Sequence, residues 1–134
     1  MDKRMDYIRE NLIYEMKYVE YLEKQGLKEE RIKEQLVRLR SFLDEFCIIG
    51  LGTSLKDMDK VNCIEDFFCL LDEKGTDSYE LIRYASALSR FFRYMYEVGD
   101  ISETLYNSIK EEIADSKEFT VMRADSKGRF IWTI

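Results

Sequence analysis

The residues that could do chemistry sit together in one stretch. In "LIRYASALSRFFRYMYEVGDI", residues 81–101, Arg83, Arg90 and Arg93 join Tyr79 and Ser86 at the three- and four-residue steps of a single helix face. An arginine presents a planar fork of donors that matches the oxygens of phosphate or carboxylate, and tyrosine adds stacking area. Such a face is suited to meeting an anion, and no acidic residue enters it before Glu97. A second set of cations, Lys28, Arg31 and Lys33, stands near the start of an earlier helix. Positive charge there opposes the helix dipole at a cost of about a few tenths of a kcal/mol, which is itself a weak sign of function.

Other chemistries lack their residues. The chain has no histidine, and Cys47, Cys63 and Cys69 are odd in number and show no CxxC spacing. They read as three reduced thiols near a core, and no zinc or other metal site is expected. No Ser-His-Asp set and no phosphate-cradling glycine loop is present. "IIGLGTSL" contains Gly-x-Gly without the later glycine or the strand-turn-helix setting, so it reads as an interhelix loop. The expectation is a protein that is not an enzyme, with no catalytic, cofactor-binding or metal-binding residues.

The bulk numbers constrain the partner. A net charge of −6 in 134 residues and a pI near 4.9 are unusual for a nucleic-acid binder, whose affinity comes from neutralising phosphates. They argue against general DNA affinity and leave room for a local basic face. Hydrophobic content of 46% with 36% charged residues is that of a folded chain. No apolar run approaches the roughly 18 residues of a membrane span. The charged N-terminus "MDKRMDYIRE" starts a helix, so neither a signal peptide nor a membrane role is expected, and the location expected is cytoplasmic.

The elements that must position the arginines are helical. Met5, Ile8, Leu12, Met16, Val19 and Leu22 recur as an apolar face over about 5–24, and Gly26 ends that helix. Ile32, Leu36, Leu39, Leu43 and Phe46 mark a second helix over about 28–48, followed by a loop with Gly50 and Gly52. A third helix starts near Asn62, which with Glu65 has capping-box spacing, buries Ile64, Phe67, Phe68 and Leu71, and stops at Gly75. The fourth, about 78–98, buries Leu81, Ala85, Leu88, Phe92 and Met95 and stops at Gly99. Ser102 is the N-cap of a fifth helix presenting Leu105, Ile109 and Ile113, and "EEIADSKE" is its solvated end. The tail "EFTVMRADSKGRFIWTI" predicts a β-hairpin turning at Gly128, with Phe119, Phe130 and Trp132 needing the helical body or another chain to cover them. A homodimer through the hairpin edge is one such arrangement. The domain plan is a helical domain over 1–115 and a hairpin extension over 116–134.

The chain also repeats. "EKQGLKEERIKEQLVRLRSFL" and "DEKGTDSYELIRYASALSRFF" align without gaps, pairing Gly26 with Gly75, Ile32 with Leu81, Leu39 with Leu88 and Phe42 with Phe91. The alignment predicts two crossed helical hairpins in an all-α bundle of about five helices.

This ordered set resembles the N-terminal core-binding, SAM-like domain of tyrosine recombinases, the phage-type integrases. The resemblance covers about residues 17–113. It is carried by "YLEKQGLKEERIKEQLVRLRSFL", "VNCIEDFFCLLDEKG" and "LIRYASALSRFFRYMYEVGDI", with Arg83, Tyr84, Ser86, Ala87, Leu88, Phe91, Phe92, Tyr94, Gly99 and Ile101 on the pattern of the last helix. It implies a SAM-like bundle that clamps double-stranded DNA while a separate catalytic domain, with a His-x-x-Arg segment and a tyrosine nucleophile, cuts it. This sequence has no histidine and ends before such a domain could form, so the expectation is a module without strand cleavage. The family's threonines near the starts of the DNA-facing helices are Arg31 and Glu80 here, and Glu80 places negative charge where a phosphate would approach.

Two functions are therefore expected. One is a non-catalytic DNA-binding module from a mobile element or acting on one, with Tyr79, Arg83, Ser86, Arg90 and Arg93 on phosphates and Lys28, Arg31 and Lys33 assisting. The other is an acidic inhibitor or adaptor that binds a nucleic-acid-handling protein, of the phage anti-defence type, on the same scaffold with DNA binding lost.

Overall fold

A computed structural model describes the backbone of residues 3–60 and 63–126, with side chains for 3–58 and 63–116. Over these residues the chain is all-helical, with five α-helices and no strand. The helices divide between two compact units, Met1–Val61 and Asn62–Ile134.

In the first unit, α1 spans Arg4–Lys24 and α2 spans Glu29–Arg40. Without a break, α2 runs into a π-helix, Ser41–Gly50, and a short 3-10 helix follows at Leu55–Lys60. Long π-helical segments are rare, because the i→i+5 bond leaves a poorly filled axis. Here the buried positions explain it: Phe42 and Leu43 repeat five residues later as Cys47 and Ile48, and all four are inside. A five-residue recurrence suits the wider turn better than the 3.6-residue one. Where a loop was expected after Gly52, Leu55 and Met58 instead enter the core from the 3-10 helix.

The expected apolar face of α1 is corrected. Its buried residues are Asn11, Tyr14, Glu15, Tyr18 and Leu22, while Met5, Leu12 and Met16 stand in solvent. The polar side is inward because most of its groups find a partner there, while Glu15 Oε1 has no hydrogen-bond partner among the described residues. The Tyr18 hydroxyl donates to Gln35 Oε1 at 3.1 Å, and the Asn11 amide donates to Asp44 Oδ1 at 3.1 Å. The Arg40 guanidinium donates to Glu15 Oε2 at 3.4 Å. Buried polar groups are tolerated when bonded in this way.

In the second unit, α3 spans Cys63–Glu73, α4 spans Ser78–Glu97 and α5 spans Glu103–Ser126. The faces expected for α3 and α4 are the buried ones, and Leu105, Ile109 and Ile113 of α5 are buried too. Helix α4 also buries Ala87, Phe91 and Tyr94, so it carries a broad apolar sector. Tyr84 meets Phe67 edge-on at 5.5 Å, and Tyr96 stacks on Tyr106 at 4.6 Å. Asp77 Oδ1 caps α4 by accepting from the Glu80 amide at 2.8 Å. Ser102 caps α5, its Oγ accepting from the Leu105 amide at 3.1 Å.

The repeat is structural. Gly26 and Gly75 both have φ +83°, and each lies in the same pair of closing bonds. Leu27 N–H reaches Leu22 C=O and Gly26 N–H reaches Glu23 C=O; Thr76 and Gly75 do the same to Leu71 and Asp72. This is the left-handed helix stop that glycine adopts at least cost. Asn62 of the expected capping box lies outside the described residues. So do the turn at Gly128 and the second arm of the expected hairpin; the backbone of the first-arm residues through Ser126 continues α5.

Candidate nucleic-acid interface

Helix α4 forms because its apolar residues fall at helical spacing and its first turn is capped, and the same spacing fixes the opposite ridge. Tyr79, Arg83, Ser86, Arg90 and Arg93 are all exposed and share that ridge. At about 1.5 Å per residue the ridge runs about 21 Å. Its base is held by Leu81, Leu88, Phe92 and Met95, each at most 1% exposed, so the arginines project from a fixed platform.

Two of the three arginines are already paired along their own helix. Arg83 lies 3.3 Å from Glu80, and Arg93 lies 3.0 Å from Glu97. Both pairs are open to solvent and weak in water. The Arg93–Glu97 pair also has the less favourable order along a helix, with the base on the N-terminal side. Arg90 makes no ion pair or hydrogen bond among the described residues and stands between the other two. Arg90 thus has no such carboxylate to release, whereas an anion at Arg83 or Arg93 would have to displace one.

Lys28, Arg31 and Lys33 lie in the other unit, at the start of α2, and all are exposed. Lys28 occupies the N-cap position with extended backbone, φ −71° and ψ 150°, and offers no side-chain acceptor. Glu29 and Glu30 share that first turn, and Lys33 lies 3.3 Å from Glu29. The cations are thus interleaved with acids, as Arg83 and Arg93 are with Glu80 and Glu97 on α4.

No family model matches the chain, and neither a curated protein nor a solved structure does.

Two features were not anticipated. The first is an acidic surface shared by α3 and α5. There, partial burial and then the charges of Glu65, Asp66 and Asp115 push the Glu112 carboxyl up to about 7. Desolvation, followed by Glu65, Asp66, Glu73 and Asp72, also raises the Cys69 thiol, which keeps it protonated at neutral pH. Cys47 and Cys63 are buried. Among the described residues no cluster of acids and cysteines could hold a metal ion, and no helix is long and apolar enough to cross a membrane. The second feature is the inverted α1. Its Glu15 is 2% exposed, and burial raises its carboxyl against the opposing pull of Arg40. A signal for the second was in the sequence: Asn11, Tyr14, Glu15, Tyr18 and Leu22 also keep helical spacing.

Proposed function

We propose that this chain is a non-catalytic nucleic-acid-binding module whose contact surface is the outer ridge of α4. The resemblance to integrase core-binding domains and the exposed, aligned arginines support the reading. The single observation that carries it is the placement of Tyr79, Arg83, Ser86, Arg90 and Arg93 on one open ridge, with the opposite side of the same helix fixed in the core. The ridge contacts phosphates of double-stranded DNA; phosphate contacts position a protein and carry no sequence information by themselves. Lys28, Arg31 and Lys33 add charge from the first unit. The DNA belongs to a mobile element, as the resemblance implies.

The test is fluorescence anisotropy with a duplex across a salt series. Three phosphate contacts give a slope of about −2.7 in log K against log salt, so affinity falls about 40-fold between about 50 and 200 mM. Arg83→Glu with Arg90→Glu leaves the helical signal unchanged and abolishes binding. Binding that survives the double variant rules out the ridge.

A second reading is supported by the carboxylates on Arg83 and Arg93 and by the Glu65, Asp66 and Glu112 surface. In it the scaffold has lost DNA binding and acts as an acidic inhibitor or adaptor of a nucleic-acid-handling protein. Absence of duplex binding at low salt favours this reading.

A further inference from the structure

Helix α1 carries exposed apolar side chains, set among charged ones, that its own unit does not bury. Met5, Leu12, Ile13 and Met16 are between 48% and 65% exposed, and with Val19 the last three line an open groove of about 520 Å³. At 100° per residue, Met5, Leu12 and Met16 fall within about 40° of one another, and Arg9 and Glu20 lie together on one flank of that stripe. The flank is basic at one end and acidic at the other. Arg9 lies 3.7 Å from Asp6, with both side chains more than 70% exposed, and Glu20 is exposed.

This arrangement complements itself. We infer that the exposed face of α1 is a self-association surface on which a second copy of this chain lies antiparallel, α1 against α1. A two-fold axis through the middle of the helix, between residues 14 and 15, keeps the charged flank on the same side of both helices. It sets Arg9 of each copy beside Glu20 of the other, so the pair forms twice. The same axis sets Met16 of each copy level with Ile13 of the other. In a parallel two-fold pair the charged flanks would fall on opposite sides of the seam, and neither Arg9 nor Glu20 would meet its complement, so the charges favour the antiparallel arrangement. The contact is isologous, as two-fold dimers require. It is independent of the α4 ridge and stands or falls without it.

Sedimentation equilibrium decides the matter. The wild-type chain sediments at twice 16.1 kDa at micromolar concentration. Met16→Glu yields a monomer with unchanged far-UV circular dichroism, since the residue is exposed. Arg9→Glu alone and Glu20→Arg alone each weaken the dimer by roughly tenfold, because each turns two attractions into two repulsions. Arg9→Glu combined with Glu20→Arg restores both pairs and returns the dimer to wild-type strength. A wild-type chain that stays monomeric at several hundred micromolar overturns the inference. So does a dimer whose strength the charge exchange does not restore.

Discussion

Glu112→Gln is expected to stabilise the protein at high pH and leave it unchanged at low pH. Glu112 is on α5, partly buried, and Glu65, Asp66 and Asp115 surround it; together these hold its carboxyl at about 7 against an ordinary 4.5. Between those values the folded chain binds a proton that the unfolded chain has released. Stability therefore falls as pH rises from about 4.5 through about 7, and the loss is complete above that. At about 1.4 kcal/mol per tenfold, the full displacement would cost at most about 3 kcal/mol. Solvent reaches part of the site and screens it, which brings the figure to about 1 kcal/mol. Glutamine keeps the shape and removes the charge. Urea unfolding followed by circular dichroism should then show the variant's midpoint raised by about half a molar near pH 8.5. Near pH 4 the two midpoints should coincide. An equal gain at both pH values would assign the effect to packing, and no gain at pH 8.5 would refute the electrostatic account of the α3–α5 surface.

The remaining predictions concern the core and the caps. Phe92→Ala removes a ring that is 1% exposed and should cost about 3 to 5 kcal/mol in denaturant unfolding; a fully stable variant would refute the placement of α4. Asp77→Ala removes the acceptor for the Glu80 amide and should cost about 1 kcal/mol. Its repeat counterpart is Lys28, which stands at the same position of α2 without a side-chain bond; Lys28→Asp should gain about 1 kcal/mol, read as a raised melting temperature. The same change should weaken any anion contact at the start of α2, read by anisotropy.

Much of the second unit was legible from spacing. Leu81, Ala85, Leu88, Phe92 and Met95 leave one side of α4 for the core, and the arginines then have nowhere to go but the other side. The stops at Gly26, Gly75 and Gly99 were equally legible, since all three take positive φ where few other residues can. The Ser102 cap was read from residue type and place, and the bond to Leu105 N–H follows. What was not legible is which of two periodic stripes α1 would bury. Met5, Leu12 and Met16 keep helical spacing, and so do Asn11, Tyr14, Glu15, Tyr18 and Leu22. Hydrophobicity alone favours the first stripe. The structure chooses the second, because Gln35, Arg40 and Asp44 supply the bonds that its polar groups need. Those partners are 17 to 33 residues away in sequence, and no local pattern reports them. The exposed face of α1 was hidden for the same reason.

By itself, then, the sequence determined the α-helices, their glycine stops and the arginine ridge, which depend on residues within a turn or two of each other, and the repeat, which shows as matching residues 49 positions apart. Tertiary structure decided the inward face of α1, the five-residue winding of Ser41–Gly50 and the raised carboxyl of Glu112. Each of these depends on groups brought together from distant parts of the chain, through hydrogen bonds, packing and charge that act across space.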